Sequence, residues 1–171
     1  MKLEELNCIN ENNNIDEYLE FYNYVRSNME HPEWLGTFSK EEITDILKNG
    51  GKLYIYYFNN DFVCSFLYIP SNKKTLQKHN ILFDDKQVGS CGPIMVNPKY
   101  IGNGLQMQML NELEKFCKSI NQKYIFTKIH PDNIYSINNF VKNGYEYLET
   151  YESRHGDMRN VYLKMIDNNT K

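Results

Sequence analysis

Residues 88–120 constrain the fold most, because an apolar segment there passes through a turn with two glycines into an amphipathic helix. Val88–Val96 is predicted to be a strand, and Gly102 and Gly104 lie in the turn that follows it. A helix is predicted to begin near Leu105, since apolar residues recur from there at helical spacing with charged residues between them. These apolar residues are Leu105, Met109, Leu113, Phe116, Cys117 and Ile120.

The start of this helix is a candidate anion site. Backbone N–H groups at a helix N-terminus have no intrahelical partner and lie at the positive end of the helix dipole, so they attract phosphate. Gly102 and Gly104 allow the main chain to approach an anion without an intervening Cβ. The turn is therefore interpreted as a pyrophosphate cradle, and an ordinary connection between a strand and a helix is the alternative.

Two common nucleotide motifs are absent from the sequence. A P-loop needs four residues between its glycines and then Gly-Lys-Ser/Thr, and no segment has this pattern. A dinucleotide motif Gly-x-Gly-x-x-Gly that starts at Gly102 needs glycine at position 107, where the sequence has Met107. Both of these readings are excluded.

The turn resembles the acyl-CoA loop of the GCN5-related N-acetyltransferases, the GNAT family. Its members commonly have a strand ending in Val-x-Pro, then an aromatic residue, then Arg-Gly-x-Gly-x-Gly or Ala. Val96–Gln106, with the sequence Val-Asn-Pro-Lys-Tyr-Ile-Gly-Asn-Gly-Leu-Gln, follows this order. Ile101 stands where Arg or Gln is usual, and Gln106 stands where a small residue is usual. Ile101 removes a side chain but no backbone donor, so the cradle is expected to persist.

A second block of the family is also present. It reads Asn-x-x-Ala/Ser, then a short helix, then Gly-Phe, and here Asn133-Ile134-Tyr135-Ser136 leads to Asn143-Gly144-Tyr145. The resemblance implies that the Asn133 side chain contacts the pantetheine arm of the cofactor. A structural alternative is that Asp132 or Asn133 caps a helix that ends at Gly144, and the two roles are compatible.

The resemblance implies a set of cofactor-binding residues and a catalytic main-chain contact. A main-chain N–H of the segment that ends at Val96 is expected to polarise the thioester oxygen, in a strand where Pro93 removes one ladder donor. The expected cofactor-binding residues are Ile94, Met95, Val96, Ile101, Gly102, Asn103, Gly104, Leu105, Gln106, Asn133, Ser136 and Phe140.

Side chains for proton transfer are harder to find. Family members often carry a glutamate base on the strand before the loop, but Val88–Val96 has no acidic residue. Glu33, His130, His155 and a water chain remain as alternatives for the base. A tyrosine often protonates the leaving thiolate, and Phe140 stands at that position, so Tyr135 is the substitute candidate for the acid. Glu33, Trp34 and His130 are candidates for contact with the acceptor. For Trp34, packing between two helices is the alternative.

The remaining chain predicts a β-α-α-β-β-β-α-β-α-β-β order, which matches the GNAT layout. The fold class is therefore α/β (α+β), with a mixed, mostly antiparallel sheet of about seven strands, a parallel central pair and four flanking helices. The first strand is expected at Lys2–Ile9, a polar loop at 10–14, and an irregular segment with room for a helical turn at 71–86. At 171 residues, the chain is expected to form one acyltransferase domain, 1–171.

Composition excludes several partners and compartments. The net charge of −3 argues against a nucleic-acid surface, and no apolar run is long enough for a membrane span or a signal peptide, so a cytoplasmic protein is expected. The lysines at 73, 74 and 78 are interpreted as a solvated loop, with contact to an anionic cofactor as the alternative. The four cysteines and four histidines lack ligand spacing, so no metal is predicted.

The leading hypothesis is an acetyl-CoA-dependent N-acetyltransferase that acts on a primary amine by direct attack in a ternary complex. The acceptor is a small-molecule or protein amine, and the protein is expected to be a monomer or homodimer. A CoA-binding or sensing domain that has lost turnover is an alternative, to which Ile101, Phe140 and the missing base point. A thiol enzyme that uses Cys91 is a third option, although burial is the more ordinary role for that residue.

Overall fold

The computed structural model describes residues 1–10 and 14–166, so part of the predicted polar loop, 11–13, lies outside the described residues. The α-helices are α1 Ile15–Ser27, α2 Lys40–Lys48, α3 Lys73–Lys78, α4 Leu105–Ser119 and α5 Ile134–Lys142. The strands are β1 Asn7–Ile9, β2 Lys52–Phe58, β3 Asp61–Pro70, β4 Val88–Val96, β5 Tyr124–Ile129, β6 Glu146–Glu152 and β7 Met158–Met165. Among the described residues, no helix is both long and apolar enough to cross a lipid bilayer.

The strands form a seven-stranded mixed sheet in the order β1-β2-β3-β4-β5-β7-β6. In the described part of the chain β4 and β5 are the parallel pair, with Val88–Ser90 opposite Tyr124–Phe126. Two parallel strands need a crossover connection, and α4 lies in the connection between them. The predicted fold class, with its parallel central pair, is confirmed.

The first of two compact units comprises Met1–Ile69 and Gly92–Met109. In its core, α1 and α2 pack on β2, β3 and the end of β4. Ser39 and Glu42 form a capping box at the start of α2. The buried side chains of this core are Tyr18, Phe21, Tyr22, Val25, Ile43, Leu47, Leu53, Ile55, Leu67 and Met95.

The second unit comprises Pro70–Cys91 and the described residues from Leu110 onward. In it β5 pairs with β7, and β7 pairs with β6, both antiparallel. The side chain of Glu114 on α4 accepts hydrogen bonds from Lys164 on β7 and forms an ion pair with Lys118. The buried core of this unit is formed by Leu76, Ile81, Val88, Phe126 and Val161.

Three sequence expectations change in detail. The predicted strand Lys2–Ile9 is wrong in its first half, where Leu3–Glu5 forms a 3-10 helix and β1 begins at Asn7. Leu3 and Leu6 are both buried, and residues three apart share one side of a 3-10 turn but not of a strand. Ile120 was expected in the core, but it follows the end of α4 and is 42% exposed. The irregular segment 71–86 contains the additional short helix α3.

Candidate active site

The turn between β4 and α4 has the backbone geometry that its two glycines allow. Gly102 has a φ of 89° and Gly104 a φ of 67°, both in the left-handed region that residues with a Cβ resist. A Cβ built on either glycine meets no heavy atom within 4 Å. The loop is therefore open on the side that a side chain would occupy, and there is room for an anion to approach the main chain.

Four consecutive main-chain donors of this loop are unused by the protein. Within the described residues, the backbone N–H groups of Gly102, Asn103, Gly104 and Leu105 donate to no protein acceptor. The last of them opens α4, where the helix dipole favours negative charge. Free N–H groups at an open helix N-terminus fit the diphosphate of a nucleotide-derived cofactor, and a buried or internally bonded loop would not.

Asn97 fixes one side of the loop to the hairpin between β2 and β3. Its buried side chain donates from Nδ2 to the carbonyl of Phe62 at 2.9 Å and accepts from the N–H of Lys99 at 3.0 Å. Its own N–H donates to the carbonyl of Val63 at 2.8 Å. Nearby, the Tyr100 hydroxyl donates to the carboxylate of Asp61. The entry to the loop is thus held by bonds that do not use the N–H groups of residues 102–105.

Gln108, on the first turn of α4, fixes the other side. Its Oε1 accepts from the N–H of Leu3 at 2.7 Å, and its Nε2 donates to the carbonyl of Asn103 at 3.3 Å. The same Nε2 lies 3.4 Å from the carbonyl of Met1. One side chain therefore joins the 103–104 peptide of the loop to the residues that precede β1. No sequence motif pointed to this role.

The end of β4 places the expected main-chain contact next to the loop. Met95 belongs to the core of the first unit, whereas Ile94 and Val96 are half-buried, as alternation along a strand requires. Contact between Met95 and a cofactor is consequently limited to its main chain. The parallel ladder with β5 comprises Val88–Ser90, so residues 94–96 lie beyond it.

Asn133 begins α5 and has a free donor. Its Oδ1 caps the helix by accepting from the N–H of Ser136 at 3.1 Å. Its Nδ2 has no acceptor among the described residues. The structural role and the pantetheine contact expected from the sequence are therefore compatible, because they use different atoms of one side chain.

The two aromatic candidates on α5 differ in exposure. Tyr135 is 72% exposed, so its hydroxyl is open to solvent. Phe140 is buried and packs edge to face on Tyr145, with ring centroids 4.9 Å apart. The Tyr145 hydroxyl is itself buried and without a hydrogen-bond partner in the described residues, and burial raises its pKa well above the ordinary value. A contact between the Phe140 ring and a cofactor stays a prediction.

His130, at the end of β5, is constrained by its own loop. Its Nδ1 accepts from the N–H of Asp132 at 3.2 Å, so in the neutral ring the proton lies on Nε2. A general base needs a free lone pair, and this hydrogen bond occupies the one that His130 has. The geometry therefore favours a binding or structural role for His130 over a role as base.

The acceptor candidates of the first unit lie together. The Glu33 carboxylate is 3.1 Å from Nδ1 of His31, and the His31 ring stacks on Trp34 with centroids 4.4 Å apart. Trp34 is half-buried in the short helix Pro32–Trp34. This group presents one carboxylate and one aromatic ring, which suits a cationic amine, but its contact with an acceptor stays a prediction.

The buried cysteines are poor nucleophiles. Burial raises the pKa of Cys91 strongly and the pKa of Cys117 to about 12, so neither side chain is a thiolate at neutral pH. Of the four cysteines, Cys8 is exposed and the other three are buried. Within the part of the chain that the structure describes, His, Cys, Asp and Glu side chains form no group of three that could hold a metal ion.

Comparison with known proteins identifies the family. The model of the acetyltransferase (GNAT) family matches residues 15–145, more than half of the chain. The chain therefore belongs to the GNAT family, and the resemblance drawn from the two motifs is confirmed. A search of curated proteins gives no match.

Solved acetyltransferases share this fold at low sequence identity. A probable acetyltransferase from Staphylococcus epidermidis has a TM-score of 0.73 and 16% identity, over 95% of this chain and 99% of that chain. A GNAT acetyltransferase from Streptococcus pneumoniae has a TM-score of 0.70 and 14% identity, over 95% of this chain and 99% of that chain. The putative acetyltransferase yncA from Salmonella typhimurium was solved with its cofactor acetyl-CoA. It has a TM-score of 0.69 and 12% identity, over 97% of this chain and 96% of that chain. At these identities the likeness establishes the fold.

Proposed function

We propose that this protein transfers an acetyl group from acetyl-CoA to a primary amine by direct attack in a ternary complex. The observation that carries the proposal is the row of unused main-chain donors, 102–105, at the open N-terminus of α4. Membership of the GNAT family and a neighbour solved with acetyl-CoA support the choice of cofactor. In this function residues 1–171 act as a single acyltransferase domain.

In the proposed reaction the free electron pair of the amine attacks the thioester carbonyl carbon. A carbon–nitrogen bond forms, the carbonyl oxygen becomes an oxyanion, and the carbon–sulfur bond then breaks to release the thiolate of CoA. A main-chain N–H of Ile94–Val96 stabilises the oxyanion, and Asn133 donates from Nδ2 to the pantetheine arm. Residues 101–106 bind the diphosphate, and Ser136 and Phe140 flank the arm.

Proton transfer in this proposal relies on solvent more than on side chains. A lysine-type amine has a pKa near 10.4, so on the order of one molecule in a thousand is neutral at pH 7. Its proton passes to water, because β4 carries no carboxylate and Nδ1 of His130 is occupied. The leaving thiol has a pKa of roughly 8.5 and departs without full protonation, and the exposed Tyr135 hydroxyl is the candidate that assists it.

Isothermal titration tests the cradle directly. Acetyl-CoA should bind at least about 100-fold more tightly than S-acetylpantetheine, which has the same thioester but lacks the diphosphate and nucleotide. Equal affinities would contradict a diphosphate site at residues 102–105.

Transfer is tested with a panel of a polyamine, an aminoglycoside, an amino acid and a protein amine. Acetylated product should be detected by mass spectrometry, because the exposed Cys8 thiol gives a background with thiol-reactive dyes. Product that depends on both acetyl-CoA and enzyme supports the transferase. Tight binding of acetyl-CoA without product from any amine contradicts it.

A CoA-binding or sensing domain is the second candidate function. The specific observation in its favour is that Phe140, which stands where the family's acid is usual, is buried and packs on Tyr145. The same titration and product assay separate the two candidates, since a sensor binds acetyl-CoA tightly and gives no acetylated amine.

A further inference from the structure

Two lysines of the second unit lie over one tyrosine ring. Nζ of Lys78, at the end of α3, is 4.8 Å from the centroid of Tyr151 on β6, and Nζ of Lys128, on β5, is 5.3 Å from the same centroid. Lys128 also lies 5.8 Å from the centroid of Phe126. The topology thus brings ammonium groups from two separate elements to the same aromatic ring, and Lys78 and Lys128 are both exposed.

No carboxylate of the described residues neutralises this pair. β6, the strand of Tyr151, carries three glutamates, and one of them, Glu149, binds Nδ1 of the buried His79 at 2.7 Å. Asp157 is bound by Arg159 and Ser153 instead. Within the described part of the chain, neither Lys78 nor Lys128 has an ion-pair partner.

Electrostatics agree with the geometry. Desolvation by the surrounding protein lowers the pKa of Lys128 to about 8, although part of the residue is exposed, and the positive charge of Lys78 lowers it further. Burial also lowers the pKa of His79, despite the neighbouring Glu149, and a histidine cannot in any case neutralise the two lysine charges. Two like charges held together without an anion repel each other, and a bound anion removes that repulsion.

We propose that Lys78 and Lys128 form an oxyanion site that binds the carboxylate of the acceptor amine. The substrate class that follows is a small primary amine with a carboxylate, such as an amino acid, and this assignment depends on the proposed acetyl transfer. Two ammonium groups supply several N–H donors to the carboxylate oxygens, and the Tyr151 ring provides a flat surface beside them. Lys128 lies on the strand that leads directly to His130 and Asn133, the acceptor and pantetheine candidates of this unit.

Matched acceptors test the substrate class. Butylamine and 4-aminobutyrate have the same amine and chain length, but only the second has a carboxylate. For the wild-type enzyme we expect a lower KM with 4-aminobutyrate, and in Lys128→Gln and Lys78→Gln we expect that KM to rise roughly tenfold while the KM for butylamine is unchanged. Lys74→Gln, on the same helix α3, is the matched control and should leave both values unchanged. Equal changes for both acceptors, or no change, overturn the assignment to the acceptor.

Sulfate titration tests the oxyanion site without turnover. With saturating CoA present to occupy the diphosphate cradle, sulfate should bind the wild type and Lys74→Gln equally, and roughly tenfold more weakly to the Lys78→Gln/Lys128→Gln double variant. Unchanged sulfate binding in the double variant overturns the site. If sulfate and phosphate bind through the two lysines but the KM for 4-aminobutyrate does not depend on them, the source of the anion is free phosphate and the acceptor assignment is wrong. If no amine is acetylated, the proposed transferase fails while the sulfate result still decides whether the anion site exists.

Discussion

Replacement of Gly104 by alanine tests whether main-chain donors bind the diphosphate. Gly104 has a φ of 67°, and an added Cβ meets no heavy atom within 4 Å, so alanine introduces no clash. The free energy of unfolding should then fall by about 1–2 kcal/mol, because a residue with a Cβ is placed in the left-handed region. In a protein of this size about 1 kcal/mol lowers Tm by about 2–4 °C, so we expect a decrease of roughly 2–8 °C.

The loss of affinity for acetyl-CoA should exceed what reduced stability explains. Alanine relaxes toward negative φ, and this rotation turns the N–H groups of residues 104 and 105 away from the open side of the loop. A hydrogen bond to a charged group contributes about 1.5–3 kcal/mol, so the loss of one such bond weakens Kd by about 10- to 100-fold. Affinity for S-acetylpantetheine should stay constant, because that ligand has no diphosphate.

Gly156→Ala is the matched control for strain. Gly156 also has a positive φ, 81°, and lies in the turn between β6 and β7, where an added Cβ comes within 3.8 Å of only the Glu152 carboxylate. We expect a similar decrease in Tm and a Kd for acetyl-CoA within about twofold of the wild type, since the same 1–2 kcal/mol of strain is introduced away from the loop. Isothermal titration and thermal unfolding of both variants give the four values needed. If Gly104→Ala and Gly156→Ala bind acetyl-CoA equally well, the loop does not hold the diphosphate.

Further predictions concern the supports of the site. Gln108→Leu removes neutral hydrogen bonds to the loop and should raise the KM for acetyl-CoA roughly 3- to 10-fold at nearly constant kcat, which steady-state kinetics will show. Cys91→Ala should retain acetyl transfer, and a folded but inactive variant would instead indicate a covalent acyl intermediate. Burial raises the pKa of Glu114, but two lysine ammonium groups outweigh it, so the folded-state pKa lies below the ordinary 4.5. Its stabilisation is therefore complete above that value and is lost as pH falls through the folded-state pKa, and Lys164→Met should weaken this acid dependence in urea unfolding at pH 3 and pH 7. Sulfate binding should decline as pH rises through about 8, where Lys128 loses its proton, and Lys128→Arg should retain binding at pH 9.

The fold was predictable from the sequence because each main element has a periodic apolar pattern and a local end signal. Ser39 and Glu42 mark the start of α2 by their own side chains, and both Asn59 and Asn60 adopt the positive φ of a two-residue hairpin turn. The prediction of a strand at Lys2–Ile9 was wrong in its first half. The apolar residues there fit a strand, but Leu3 and Leu6 are buried as part of a 3-10 turn. Short segments with few apolar residues carry too little pattern to separate these conformations.

The supports of the site were not predictable, because they join residues that are far apart in the sequence. Gln108 reaches Leu3 through a single side chain, and nothing near either residue indicates the contact. The pairing of Lys78 with Lys128 likewise depends on α3 and β5 both lying against Tyr151. From the sequence, Lys78 was expected in a solvated loop or in contact with an anionic cofactor, because charge alone does not indicate a partner.

The proposed cradle and the proposed acceptor site are expected to differ in how much sequence change each tolerates. Main-chain N–H groups are the same for every residue except proline, so a loop that binds through them accepts Ile101 and Gln106 where the family usually has Arg or Gln and a small residue. What such a loop requires is the backbone conformation, which depends on Gly102 and Gly104. Acceptor recognition, in contrast, depends on side-chain charge and therefore changes with single substitutions. The family model accordingly matches residues 15–145 despite Ile101 and Gln106, whereas the acceptor must be inferred from side chains particular to this chain.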